Sequence, residues 1–486
     1  MGDSMYIKDF YNDENFINHK VTLITSNSMN VISNSIFVAI RGYNVNGIDY
    51  IDDAITFGAK SIIYDQDIEI KKIENINYIK VIDSKVELAK LLNYFYRKFK
   101  KPKMIAITGT NGKTSTTSYI YQLLKYKHKN INLLLVGTGY IKSFYKNNEY
   151  IKKTKNTTIE IDKLYLSIYE HKYDYVILEA SSQGIEEGRL LGLEFDVIGF
   201  TNITQDHLDY HITMDNYANA KSKIIYYLKK DGILLLNDNI NYFDKLKKIS
   251  IANLKLYSIN NSNVNYYLSN IQYNNNLIEF NFNTKKGIYF IQTNLLGTFN
   301  LENIILALAV LDNLFNKIDD FIPYIKNLKV AKGRMNLYKL NNFYVLIDFA
   351  HTPDGIEKVL LDMNRSNYKQ IITILGAGGN KDKEKRPIMG NIATKNSNKV
   401  IFTEDNSRSE KINVIINDLI KNISINNYEI IYERKEAIDY ALSISKENDI
   451  VVILGKGAEE YIERDEFIEF SDIDYIESLG GIRING

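Results

Sequence analysis

"MIAITGTNGKTS", residues 104–115, joins a short apolar run to a glycine-rich turn, a lysine and two hydroxyls. That is the order of a buried strand, a tight loop and the first turn of a helix. Glycines let backbone N–H groups turn inward, and a helix N-terminus favours anions. Lys113 can reach terminal phosphates and Thr114 can ligate Mg²⁺. Gly109, Thr110, Asn111, Gly112, Lys113, Thr114 and Ser115 are therefore expected to cradle ATP or GTP. The strict spacing GxxxxGK[ST] would need a glycine at 107, where the chain has Ile107. The cradle is shortened, yet none of the groups named is lost. On this stretch alone, hydrolysis and transfer both remain open.

Downstream of the loop, apolar strands alternate with helices: "YDYVILEA" (173–180), "FDVIGFTNI" (195–203) and "GILLLN" (232–237). This alternation predicts a parallel, doubly wound sheet. Residues 250–295 alternate in a β-like way and predict an antiparallel extension. A second α/β series begins near 333, with "FYVLIDFA" (343–350), "QIITILGA" (370–377), "KVIFTED" (399–405) and "DIVVILG" (449–455). Upstream, "SIFVAI" (35–40) and "KSIIYD" (60–65) read as strands, and "KVELAKLLNYFYRKF" (85–99) has helical apolar spacing. "KKPK" (100–103) is a charged joint. At 486 residues, and roughly 150 per domain, three domains are expected. The predicted fold class is α/β, with an N-terminal domain over 1–102, a central P-loop ATPase domain over 103–331 and a C-terminal Rossmann-like domain over 332–486.

Basic and acidic residues nearly cancel at net +1, so no global field favours nucleic acid or an anionic membrane. The chain has no cysteine, which removes disulfides, thiolate metal sites and cysteine nucleophiles. "MGDSMYIKDFYNDENF" has no apolar stretch of signal-peptide length, and no long uninterrupted apolar run occurs elsewhere. A cytoplasmic enzyme with no nucleic-acid partner and no membrane insertion is expected.

"VILEASSQGIEEGRL" (176–190) puts Glu179 at the end of a buried strand, where a carboxylate can meet a nucleotide-bound metal. "TNITQDHLDYHITMDNYANAKSKII" (201–225) supplies His207, a good imidazole ligand, and Lys221 on the helix that follows. These stretches, with "LLGTFNLENIILALA" (295–309), "GRMN" (333–336) and "DFAHTPD" (348–354), resemble the Mur ligase family of peptidoglycan synthesis. In that family "TGTNGKT" is the usual loop, which accounts for the missing glycine. "RPIMG" (386–390), "DNSRSE" (405–410) and "GKGAEEY" (455–461) resemble the members that add the third residue of the stem peptide.

The resemblance implies that ATP phosphorylates a carboxylate on a UDP-linked substrate and that an amine attacks the acyl phosphate. It implies two Mg²⁺ ions, with Thr114, Glu179, His207 and Lys221 as metal ligands, Lys221 in the form of a CO₂-derived carbamate. Lys113, Glu179, His207 and Lys221 would be the catalytic set. Asn303, Arg334, Asp348 and His351 match family positions close to the nucleotide. For the UDP-N-acetylmuramoyl dipeptide, Ser26, Ser28, Tyr43, Asn44 and Val45 match the uridine side. Asn156, Thr157, Thr158, Ser181, Glu187 and Arg189 match the peptide side, with Arg189 the natural carboxylate partner. Asn27 and Met29 flank Ser28 where the family has an acid and an arginine.

For the incoming amino acid the resemblance implies Arg386, Asp405, Asn406, Ser407, Arg408, Gly455 and Glu459. An arginine at 408 can clamp a distal carboxylate, which implies a free diamino diacid, meso-2,6-diaminopimelate, rather than L-lysine or ornithine. Ser407 and Ala458 stand where the family usually has proline and histidine. A monomer is expected. Two rivals remain: a folylpolyglutamate synthetase-like ligase, which normally starts close to its phosphate loop, and a nucleotide-binding protein without catalysis. Lys113, Glu179, His207 and Lys221 together argue against the second.

Overall fold

The computed structural model describes residues 5–42, 45–128, 130–154, 157–249, 253–274, 277–295 and 297–485. Their contacts form two compact units, each assembled from separate stretches of chain.

The first unit takes in Met1–Ile105, Asn130–Asp196 and Tyr226–Lys229. It holds a four-stranded sheet of Ile24–Thr25, Ser35–Val38, Ala59–Tyr64 and Asn77–Lys80, paired in chain order and parallel throughout. Phe37, Ala39, Ile51, Ala54, Ala59 and Ile62 pack into one core against it. The predicted helix runs from Ser84 to Phe95, four residues short of the apolar pattern, and the Asp83 side chain caps it by accepting from Val86 N–H. In the same unit, Leu133–Gly137 pairs in parallel with Tyr175–Ala180, and Tyr140–Tyr145 with Asn148–Lys153 forms an antiparallel hairpin. The run Leu133–Val136 is wholly buried, as a strand covered on both faces must be.

The second unit takes in Ala106–Lys129, Val197–Ile225 and Lys230–Gly486. The strand Leu228–Asn237 pairs in parallel with Asn253–Ser258, which pairs in parallel with Tyr266–Asn274. Leu277–Thr284 and Gly287–Thr293 then continue antiparallel, so the predicted extension is present and begins one strand later than its sequence pattern. The helix Thr298–Phe315 is long and apolar enough to cross a membrane by composition, yet 67% of it is buried inside the protein. A seven-stranded sheet follows, ordered Tyr428–Ile430, Lys399–Phe402, Ile371–Leu375, Ile450–Leu454, Phe343–Asp348, Asn336–Leu340 and Ile482–Arg483. Its first five strands pair in parallel, and Asn336–Leu340 pairs antiparallel with both Phe343–Asp348 and Ile482–Arg483. All four strands predicted after residue 333 are among them. Apolar clusters cover both faces, one around Leu346, Phe402 and Val452, the other around Val345, Ile374 and Ile453.

Candidate active site

The helix Lys113–Lys127 opens directly after Gly112, whose φ of 85° lies in the left-handed region. A Cβ at Gly112 would also collide with the Asn303 side-chain oxygen, so glycine is required there. Asn303 is buried; its Oδ1 accepts from Thr116 Oγ1 at 3.2 Å, while its Nδ2 has no hydrogen-bond partner among the described residues. An open cradle beside an orphaned buried amide suits a bound nucleotide. The loop is clasped from behind. Thr110 N–H donates to the Asn202 carbonyl at 2.9 Å and Asn111 N–H to Asn202 Oδ1 at 2.9 Å. Thr201 Oγ1 donates to the Asn111 carbonyl at 2.6 Å. Ser115 lies buried in the first turn.

Lys113 Nζ donates to the carbonyls of Gly109 and Thr110 at 3.0 and 2.9 Å. Lys221, almost fully buried, donates to the same Gly109 oxygen at 2.7 Å. Burial, and after it the charge of Lys113, hold the Lys221 amine well below the usual lysine range, against the pull of Asp206. His207 sits at φ 54°, just ahead of the short helix Leu208–His211. Its imidazole is lowered, first by loss of hydration although about half of the side chain stays exposed; Asp206 opposes this, and Lys221 and Lys113 reinforce it. A neutral imidazole is the form that ligates metal.

Asp206 joins these groups to residues after 333. Its Oδ1 accepts from Lys385 Nζ at 3.1 Å, and its Oδ2 lies 3.4 Å from His207 Nε2 and 3.7 Å from His351 Nε2. Burial works to raise its carboxyl, but His351, His207 and Lys385 together carry it well below the carboxylate range. Asp348 is raised by burial, partly offset by Arg334. Its oxygens accept from Met335 N–H at 2.7 Å and Ala350 N–H at 2.8 Å, pinning the turn that carries Arg334. The Arg334 guanidinium lies 4.2 Å over the Phe349 ring.

Within the first unit, Glu179 lies one residue before the end of the strand Tyr175–Ala180, at 0% exposure. Thr138 holds both carboxylate oxygens, its N–H on Oε1 at 3.2 Å and its hydroxyl on Oε2 at 2.9 Å. Thr158, Ser181, Glu187 and Arg189 form one network. Thr158 Oγ1 donates to the Glu179 carbonyl at 3.1 Å and accepts from Ser181 N–H at 3.0 Å. Arg189 Nη1 donates to the Thr158 carbonyl at 2.5 Å and its Nη2 pairs with Glu187 at 2.6 Å. Ser26 N–H donates to Asp162 at 2.9 Å; Ser28 is buried in its turn and Val45 is exposed. Thr157 is half-buried. Tyr43, Asn44 and Asn156 lie outside the described residues.

Around "DNSR", Asp405 is buried and its Oδ1 accepts from the Asn406 N–H at 2.6 Å. Asn406 Nδ2 donates to Glu459 Oε2 at 2.7 Å. Gly455 (φ 108°) brings the facing turn so close that a Cβ would collide with Asp405 Oδ2. Burial and then Asp405 raise the Glu459 carboxyl, with Lys456 pulling it back. Ser407 is buried, and Arg408 sits at φ 52° with its Nε 2.9 Å from Glu463 and its Nη1 donating to the Gly379 carbonyl at 2.9 Å. Arg386, expected against the amino acid, is fully buried with its guanidinium engaged internally. Glu410 meets it at 2.9 and 2.7 Å, Asp418 at 2.9 Å and the Gly378 carbonyl at 3.1 Å.

The structure thus brings Lys113, Lys221, His207 and His351 into one charged cluster and Asp405, Asn406, Gly455 and Glu459 into another. Sequence reasoning missed Asn202, Asp206, Lys385, Thr138 and Lys456. Asp206 was the most accessible of these, since it adjoins His207 in the quoted motif. Among the described residues no three His, Cys, Asp or Glu side chains converge as a ready metal cage. A carboxylate fixed as Glu179 is by Thr138 is the kind of oxygen ligand that Mg²⁺ takes alongside substrate phosphates and water.

A phosphate loop on an α/β frame, with a second α/β sheet carrying an acid-lined turn, defines a nucleotide-dependent enzyme. Family comparison agrees stretch by stretch. The "Mur ligase family, catalytic domain" matches residues 20–96, the "Mur ligase middle domain" 107–311 and the "Mur ligase, glutamate ligase domain" 333–457. The chain is 35% identical over 455 residues to the UDP-N-acetylmuramoyl-L-alanyl-D-glutamate–2,6-diaminopimelate ligase of Fusobacterium nucleatum, covering 92% of this chain and 90% of that one. The ligase of the same name from Rickettsia conorii is 34% identical over 478 residues, covering 95% and 96%. A solved structure of a protein of that name superposes with a TM-score of 0.69 at 26% identity, over 98% of both chains. The chain belongs to the Mur ligase family. It is an ATP-dependent ligase of peptidoglycan precursor synthesis.

Proposed function

We propose that the chain adds meso-2,6-diaminopimelate to UDP-N-acetylmuramoyl-L-alanyl-D-glutamate through an acyl phosphate. The full-length likeness to ligases of that name carries this reading.

A carboxylate resists an amine because its leaving group would be oxide, whereas a mixed anhydride with phosphate opens readily. The obstacle is bringing one anion to another. Two unit charges 4 Å apart cost roughly 1 kcal/mol in water and about 4 kcal/mol at an effective dielectric of 20. When bound, Mg²⁺ and ATP supply the phosphoryl group and part of the neutralising charge. Lys113 supplies more by exchanging the carbonyls of Gly109 and Thr110 for phosphate oxygens.

Thr114, Glu179, His207 and Lys221 are the proposed ligands for two Mg²⁺ ions. The depressed Lys221 amine supports its carbamylation. The neutral nitrogen would form a bond to the carbon of CO₂ and release one proton, giving an anionic oxygen ligand. Asn303, Arg334, Asp348 and His351 are assigned to the nucleotide, and Arg189 with Thr158, Ser181 and Glu187 to the peptide. On the amino acid, Arg408 is assigned to the distal carboxylate and Asp405 with Glu459 to an ammonium. The proposed domains are 1–102, 103–331 and 332–486, in a monomer working in the cytoplasm.

Phosphate release from ATP, measured with the UDP-dipeptide and a panel of diamino acids, tests the reading. Turnover is expected only with both substrates and fastest with diaminopimelate. Faster turnover with L-lysine or ornithine would overturn the amino acid, and turnover independent of either substrate would overturn the ligase.

A further inference from the structure

We infer that Lys456 is a positioning residue for the incoming amino acid, fixing which atoms Asn406 and Glu459 present to it. The inference rests on the amino-acid site proposed above, and its own observation is a closed triangle of side chains.

Lys456 is fully buried, a state lysine adopts only when its ammonium is partnered. Its Nζ donates to Asn406 Oδ1 at 3.0 Å and to Glu459 Oε2 at 3.1 Å. Asn406 Oδ1 also accepts the Glu463 N–H at 2.9 Å. With its oxygen held by two donors, the amide turns Nδ2 toward Glu459 Oε2, at 2.7 Å. The opposite orientation would set an amide N–H₂ against an ammonium and a backbone N–H, and an amide oxygen against a carboxylate. Lys456 therefore reinforces the amide orientation that the Glu463 N–H and the Glu459 carboxylate also favour.

The same ammonium is the charged partner of Glu459, whose carboxyl it pulls back against burial and the neighbouring Asp405. Glu459 keeps 26% of its side chain exposed, whereas Lys456 keeps none. Part of the Glu459 side chain thus reaches solvent, while the lysine stays behind it. Without Lys456, Glu459 loses its charged partner and Asn406 Oδ1 keeps only the Glu463 N–H of its two donors.

The test uses the full chain with Lys456→Met and Lys456→Gln, each beside the wild type. For Lys456→Met, the KM for diaminopimelate should rise roughly ten- to a hundredfold, the loss of one charged hydrogen-bonding group. The KM values for ATP and the UDP-dipeptide and the kcat at saturation should stay near wild type. Lys456→Gln, which keeps an N–H donor for Asn406 Oδ1, should recover part of the loss. An unchanged KM for diaminopimelate, or an equal rise in all three KM values, would overturn the inference. So would failure of both variants to fold and bind nucleotide, since Lys456 would then be structural. A wild type that turns over no diamino acid would instead remove the proposed function on which the inference stands.

Discussion

Lys113 and Lys221 both direct their side-chain nitrogens at one acceptor, the carbonyl oxygen of Gly109, at 3.0 and 2.7 Å. Two ammonium groups do not share one buried oxygen at low cost. Lys221, almost fully buried, has its amine held well below the usual lysine range, first by burial and then by the charge of Lys113.

Lys221→Ala should therefore abolish ligation, and high bicarbonate should not restore it, because no nitrogen remains to form the carbamate. Phosphate release dependent on both substrates is the measurement. Near-normal turnover in this variant would remove the carbamate from the mechanism.

Thr138 grips both oxygens of Glu179, and Gly137 leaves so little space that a Cβ there would stand 2.7 Å from Oε1. Thr138→Val keeps the shape and removes the hydroxyl donor. The Mg²⁺ concentration for half-maximal turnover and for half-maximal nucleotide binding should rise roughly 10- to 100-fold. Thr138→Ser should stay close to wild type. Unchanged Mg²⁺ dependence in the valine variant would show that Glu179 needs no such support.

Arg408 uses its Nε on Glu463 and its Nη1 on the Gly379 carbonyl, which holds the guanidinium plane in a fixed direction. Arg408→Ala should raise the KM for diaminopimelate by roughly ten- to a hundredfold, the value of a charge-assisted pair. The much weaker use of L-lysine should change little. An equal loss with both would mean that Arg408 does not read a distal carboxylate.

Glu410 is held down to about 2 from an ordinary 4.5, first by its hydrogen bonds to Arg386. Its folded-state value is depressed, so its contribution is complete above 4.5 and is lost as pH falls toward 2. Glu410→Gln should lower stability at pH 7 by roughly 1–3 kcal/mol and flatten the loss of Tm on acidification through that window. A wild-type and variant pair with parallel Tm curves from pH 5 to pH 2 would contradict this.

Much of the architecture could be read before any coordinates, because its signals are local. "MIAITGTNGKT" carries strand, turn and helix start within a few residues, and every strand proposed after 333 is present. The seam of the extension was misplaced because parallel and antiparallel pairing share the same two-residue alternation, so the sequence pattern cannot say where the switch falls. Asn202, Asp206, Lys385, Thr138 and Lys456 escaped notice for a common reason. Each acts on a partner distant in sequence or hidden by the fold: Asn202 on the loop at 110–111, Lys385 on Asp206, Lys456 on Asn406. Arg386 was expected at the amino acid from the family resemblance alone, and only the fold reveals Glu410 and Asp418 on its guanidinium.

The most direct measurement follows one oxygen atom. With ¹⁸O placed in the acceptor's glutamyl carboxyl, turnover through an acyl phosphate must deliver label into released orthophosphate, one atom for each fully labelled carboxyl consumed. Label retained entirely in the peptide product and water, with none in phosphate, would contradict activation of the carboxylate and with it the chemistry assigned to Lys113, Glu179 and Lys221.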